Sequence, residues 1–114
     1  MSQIGICTGA RRHDRIRTRL PVSYGIEGGE KTGFAESISE GGLYVNTNEV
    51  LKVGTQLVVR IEFPDRTVCH RGEVTWAIRV PDHLRDQMVC GMGISFLDPD
   101  PEWPAFFLTW KRTQ

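Results

Sequence analysis

At 114 residues, with 39% apolar and 25% charged side chains, the chain is long enough to bury one core without metals or disulfides and too apolar to be disordered. A formal net charge of +0 argues against a general nucleic-acid coat protein. Three cysteines (Cys7, Cys69, Cys90), an odd count without CxxC or Cys/His metal spacing, argue against a disulfide framework, and no transmembrane run or signal-peptide core is found, so the expected compartment is the cytoplasm.

The charge is unevenly spread. Residues 1–20 hold five arginines (11, 12, 15, 17, 19) against one acid, Asp14. Residues 1–10 are small and polar, and residues 11–19 carry too many like charges to fold alone. Residues 1–19 are therefore expected to form a flexible arm and 20–114 a folded domain. Leu20 to Ile26 begins the domain, and Glu27-Gly28-Gly29-Glu30 reads as a hairpin turn because glycine supplies positive φ. Lys31 to Ile38 returns, Leu43 to Thr47 follows, and Lys52-Val53-Gly54 is a further turn.

The clearest strand has Leu57, Val59, Ile61 and Phe63 alternating with Val58, Arg60 and Glu62, a period of two. After Pro64-Asp65-Arg66, the stretch Thr67 to Val80 is expected as a long strand. Val68, Val74, Trp76 and Ile78 would share one face and Cys69, Arg71, Glu73 and Thr75 the other. Pro81 to Asp86 reads as a polar loop. Met88 to Phe96 is the last expected strand, with Met88, Cys90, Met92, Ile94 and Phe96 on one side. Gly91 and Gly93 leave the opposite side bare, a sign of close packing or curvature.

The period then changes. Asp100-Pro101 reads as an N-cap with proline at the first helical position, opening a helix over 101–113. Trp103, Phe106, Phe107 and Trp110 follow an i, i+3, i+4, i+7 pattern and would form an aromatic face closing the core. Six or seven short strands and one helix predict a mainly β, antiparallel barrel capped by a C-terminal helix.

Catalysis finds little support. His13, His70 and His83 are scattered, and His70 alternates with core positions as a structural histidine would. Asp98 and Asp100 are explained by capping, and Asp65 and Asp82 each follow a proline in a turn. No GxSxG, Walker or GxGxxG pattern is present, so no enzyme is expected.

Two stretches point to ligand binding. In Ser37-Ile38-Ser39-Glu40-Gly41-Gly42, the two hydroxyls lie two residues apart and share a strand face, and two glycines then leave the backbone accessible. Upstream, Arg11-Arg12-His13-Asp14-Arg15 carries planar guanidinium forks that match phosphate oxygens and the O6/N7 edge of guanine. Read plainly, the arm is a solvated tail; read functionally, it captures an anionic ligand.

With these two stretches in order, the chain resembles a PilZ domain, a small β-barrel with a C-terminal helix that binds cyclic di-GMP and is marked by RxxxR and a downstream (D/N)xSxxG. Arg11 to Arg15 supplies the first motif and Ser37 to Gly42 the second. Leu20-Pro21-Val22, Gly42-Leu43-Tyr44-Val45 and Gly91-Met92-Gly93-Ile94-Ser95-Phe96 fit the surroundings, so the resemblance covers roughly residues 10–110. It implies that Arg11, Arg12 and Arg15 wrap the ligand, that Ser37 and Ser39 hydrogen-bond it, and that Gly41 and Gly42 keep the backbone close. Ser37 departs from the family's Asp or Asn. Loss of one charge-assisted hydrogen bond costs about 1.5–3 kcal/mol, which weakens binding. Strand alternation turns the neighbouring Glu36 away from that role.

The resemblance implies a receptor whose arm orders on cyclic di-GMP and signals to an effector protein, with no other cofactor. The alternative is a PilZ-like interaction module, motility or pilus related, with weakened or lost ligand binding. A barrel for single-stranded nucleic acid is disfavoured by the net charge and the core-facing aromatics. The expected state is a monomer or weak dimer without DNA, RNA or membrane insertion.

Overall fold

The structure, a computed structural model, describes residues 15–27, 29–84 and 88–114. Its strands are β1 (Ile16–Gly25), β2 (Lys31–Ser39), β3 (Gly42–Asn46), β4 (Gln56–Phe63), β5 (Arg66–Ile78) and β6 (Gly91–Leu97), followed by helix α1 (Trp103–Lys111). They close as an antiparallel barrel in the order β1-β2-β3-β6-β5-β4, with β4 pairing back onto β1. The expected fold class is borne out, with six strands among the described residues.

Alternation fixes most of the interior. Val22 and Tyr24 from β1, Leu43 and Val45 from β3, Leu57, Val59 and Ile61 from β4, and Met92 and Ile94 from β6 are all buried. The Tyr24 hydroxyl is satisfied inside by Thr47 Oγ1 and the Glu49 carbonyl, each at 2.7 Å. At the turn before β4, Gly54 adopts φ +93°, which glycine alone adopts without strain. The Thr55 amide donates to the Lys52 carbonyl and closes that turn.

Three register shifts break the alternation: between Arg17 and Leu20 on β1, between Ala35 and Ser37 on β2, and between Val74 and Trp76 on β5. The last corrects the expected face of β5. Val68 and Val74 keep to the core side, but Thr75 is the extra residue, so Trp76 and Ile78 emerge outward and are 45% and 42% exposed. The bulge on β2 makes Glu36 the extra residue opposite Tyr44, so simple alternation does not decide its direction.

Other boundaries also move. β1 begins at Ile16, so residues 16–19, expected in the arm, form strand; residues 1–14 lie outside the described residues. β6 begins at Gly91, and Met88, expected in that strand facing the core, is 50% exposed. Helix α1 spans 103–111 rather than 101–113. Asp100 acts one turn earlier: its Oδ1 accepts the Glu102 amide at 2.8 Å and its carbonyl accepts the Trp103 amide at 2.8 Å. Pro104, not Pro101, takes the first-turn position where a missing N–H is harmless.

Helix α1 closes one end of the barrel as expected. Trp103, Phe107 and Trp110 are buried and Phe106 is partly so. Phe63 makes edge contacts with Phe106 and Trp110 at 4.9 and 5.2 Å between centroids. His70 stacks on Phe96 at 4.2 Å and meets Trp103 edge-on at 4.5 Å. Both its ring nitrogens are buried without a hydrogen-bond partner.

Burial therefore pulls the His70 pKa down to about 4, with the charge of Asp100 acting in the opposite direction. The unfolded chain takes up this proton near the ordinary value of 6.5, so folding stability falls as pH drops from about 6.5 toward 4. Thermal melts at pH 7 and pH 5 should show a larger loss of Tm in the native protein than in His70→Leu. Equal losses would show that this burial does not govern acid stability.

Candidate functional site

The two sequence motifs meet at the start of β1. Ile16 pairs with Ile38 and Arg17 with Ser37, which places Arg15 beside the end of β2. Its Nε and Nη2 donate to Ser37 Oγ at 3.2 and 3.0 Å. Burial pulls the Arg15 pKa below the ordinary guanidinium value, and the group remains cationic. An anion brought to this guanidinium restores what partial desolvation removes.

Ser39 is buried, and its hydroxyl donates to the Gly42 carbonyl at 3.3 Å across the Glu40-Gly41 turn. The turn is held from β6 as well, where the Phe96 amide donates to the Gly41 carbonyl at 2.9 Å. Gly42 is sterically required, since a Cβ there would run into the Ile94 carbonyl oxygen of the neighbouring strand.

Beyond this turn opens a cleft of about 850 Å³ on the outer face of β3, β5 and β6. Its lining includes Arg15, Ser37, Ser39, Gly41, Gly42, Tyr44 and Trp76. That size falls within the usual range for small-molecule sites. No carboxylate lines it among the described residues, and Arg15 is its cation. Five of the seven expected site residues are thus brought together. Arg11 and Arg12 lie outside the described residues.

Sequence reasoning missed the aromatic wall. Tyr44 and Trp76 stack with centroids 5.1 Å apart and planes inclined by 10°. They lie over the two bare positions of β6: a Cβ on Gly91 would strike the Tyr44 ring, and one on Gly93 the Trp76 ring. The bulge at Thr75 turns Trp76 outward onto this floor. Burial, and then the charge of Glu36, push the Tyr44 phenol up, so it stays neutral and available as a donor. An exposed indole face in a cationic, carboxylate-free cleft can stack on a nucleobase. The signal for it was the glycine pair itself, whose missing side chains leave room for rings from neighbouring strands.

Glu36 stays out of this site by a different route from alternation. Its carboxylate accepts from Arg19 Nη1 at 3.1 Å, and the Arg19 guanidinium lies over the Phe34 ring at 4.2 Å. Among the described residues no cluster of His, Cys, Asp or Glu could hold a metal ion, and no helix is long and apolar enough to cross a membrane.

The PilZ domain family model matches residues 10–103. The chain belongs to the PilZ family. Both motif stretches of this PilZ domain fall inside the matched span. The solved structure of the Bacillus subtilis inhibitor of motility MotI/DgrA superposes on it with a TM-score of 0.71 at 19% identity. The match covers 88% of this chain and 48% of that protein, so the PilZ domain described here spans about half the length of MotI/DgrA. That likeness establishes a common fold. No curated protein sequence matches the chain.

Gly93→Ala should lift Trp76 from its seat, because the added methyl occupies the position of the indole. The expected result is a shifted Trp76 fluorescence emission with the far-UV circular dichroism preserved. An unchanged spectrum would mean that the ring does not rest on Gly93.

Proposed function

We propose that this domain is a cyclic di-GMP receptor that passes the second-messenger signal to a partner protein. The observation that carries the reading is the convergence of Arg15, Ser37, Ser39, Gly41 and Gly42 in one carboxylate-free cleft walled by Tyr44 and Trp76. The ligand combines phosphates with flat purines. Arg15, joined by Arg11 and Arg12 of the arm, meets phosphate oxygens and guanine edges with guanidinium forks. Ser39 and the Gly41-Gly42 backbone approach the ligand closely, and Trp76 offers a stacking face. Binding requires Arg15 to exchange its hydrogen bonds with Ser37 for contacts with the ligand.

Output on this reading is a change of shape, since PilZ domains are receptor or adaptor modules. Arginines 11 and 12, neutralised by ligand, order the arm and alter a surface that an effector recognises. The domain works in the cytoplasm with cyclic di-GMP as its ligand and no other cofactor, and the name of MotI/DgrA points to motility as the process regulated.

Ser37 favours a second reading, in which the domain is a protein-interaction module that has weakened or lost the ligand. A hydroxyl already engaged with Arg15 cannot offer guanine the two acceptor oxygens of a carboxylate.

Calorimetric titration with cyclic di-GMP separates the two. The receptor reading expects saturable binding that Arg15→Ala abolishes or weakens by at least tenfold. Absence of heat and of thermal shift at high ligand would leave the interaction module. Ser37→Asp should tighten binding by about ten- to a hundredfold, equivalent to roughly 1.5–3 kcal/mol. Unchanged affinity in that variant would refute this account of position 37.

A further inference from the structure

The loop that joins the two serine and two glycine positions is fastened from below by the helix. Trp103, the first residue of α1, is 2% exposed, and its indole Nε1 donates to the Glu40 carbonyl at 2.8 Å. The next carbonyl, that of Gly41, is taken by the Phe96 amide. Phe96 in turn lines the cleft and packs edge-on against the Trp103 ring at 5.7 Å. Two consecutive carbonyls of the ligand loop are thereby fixed, one by the barrel and one by α1.

We infer that Trp103 is a positioning residue for the ligand site: its indole hydrogen bond sets the Glu40-Gly41 backbone against which the ligand packs. The inference rests on the receptor reading and adds a residue outside both motifs. An indole can serve here because it combines a buried apolar body with one directional donor. Its body is held by Phe107 at 5.4 Å and by His70, so the donor cannot turn away without disturbing the helix end. Coupling between the two sites is reciprocal. If α1 fixes the loop for the ligand, the ligand fixes the loop for α1.

The test compares Trp103→Phe, which keeps an aromatic ring and removes the donor, with Trp110→Leu, which loosens α1 at a ring that packs on Phe63 and Phe107 and leaves the hydrogen bond intact. Without ligand, the amides of Gly42 and Phe96 should exchange faster in Trp103→Phe than in Trp110→Leu. With cyclic di-GMP, affinity should fall roughly three- to tenfold in Trp103→Phe and stay near native in Trp110→Leu. In the native protein, ligand should shift the Trp103 indole N–H resonance and leave that of Trp110 in place. Native exchange and native affinity in a folded Trp103→Phe would overturn the inference. If that variant does not fold, an unmoved Trp103 indole resonance at ligand saturation does the same. Should the native protein bind no cyclic di-GMP, the receptor reading fails on its own, and ligand-free exchange still decides whether Trp103 positions the loop.

Discussion

One extra residue in a strand, at each of three places, decides where the cleft of this molecule forms. A small closed barrel must bend its strands sharply, and a bulge supplies bend and twist at the expense of local alternation. Here the bulges lie between Arg17 and Leu20, between Ala35 and Ser37, and between Val74 and Trp76. The first two shape the strand ends where Arg15 reaches Ser37. The third expels Trp76 from the interior. Cleft, cation and aromatic wall all depend on these departures, and the regular parts of the barrel serve as the frame that holds them.

That dependence explains what the sequence reveals. Period-two alternation in residues 57–63 and the i, i+3, i+4, i+7 aromatics of α1 reflect burial alone, so barrel and lid could be read directly. The serine-glycine stretch was legible because small residues at a strand end have few other uses. The direction of Trp76 was not legible: nothing in Val74-Thr75-Trp76 marks an insertion, and only the step in pairing from Val74 with Ile94 to Trp76 with Gly93 reveals it. Met88 was misplaced because its spacing continues that of Cys90 and Met92, yet pairing with β3 begins only at Gly91. The hydrogen bond from Trp103 to Glu40 joins residues far apart in the chain and leaves no local signature.

The electrostatic arrangement matches this geometry. A formal net charge of +0 conceals a sorting of charges by place. Glu36 is claimed by Arg19 on one side of the bulge, while Arg15 on the other side has a neutral hydroxyl as its partner. A carboxylate at position 37 would neutralise Arg15 in the empty site and also offer guanine two acceptors. Serine does neither, and among the described residues the cleft keeps the charge of Arg15 with no carboxylate on its lining. On the receptor reading, the substitution that weakens base recognition therefore keeps the anion-attracting field intact.

Among the described residues β1 is held on both sides over only part of its length, and this has a bearing on solubility. Val22 to Gly25 pair with β4, whereas residues 16–21 pair with β2 alone in the barrel ladder. Such a half-open edge is a template for strand addition by another copy of the chain. Pro21 offers it no N–H, and the exposed Arg17 sets beside it a positive charge that an identical strand would meet with its own. Arg17 thus guards against self-association at the barrel's one half-paired margin among the described residues. Trading it for an apolar side chain would invite aggregation there even with the cleft left untouched.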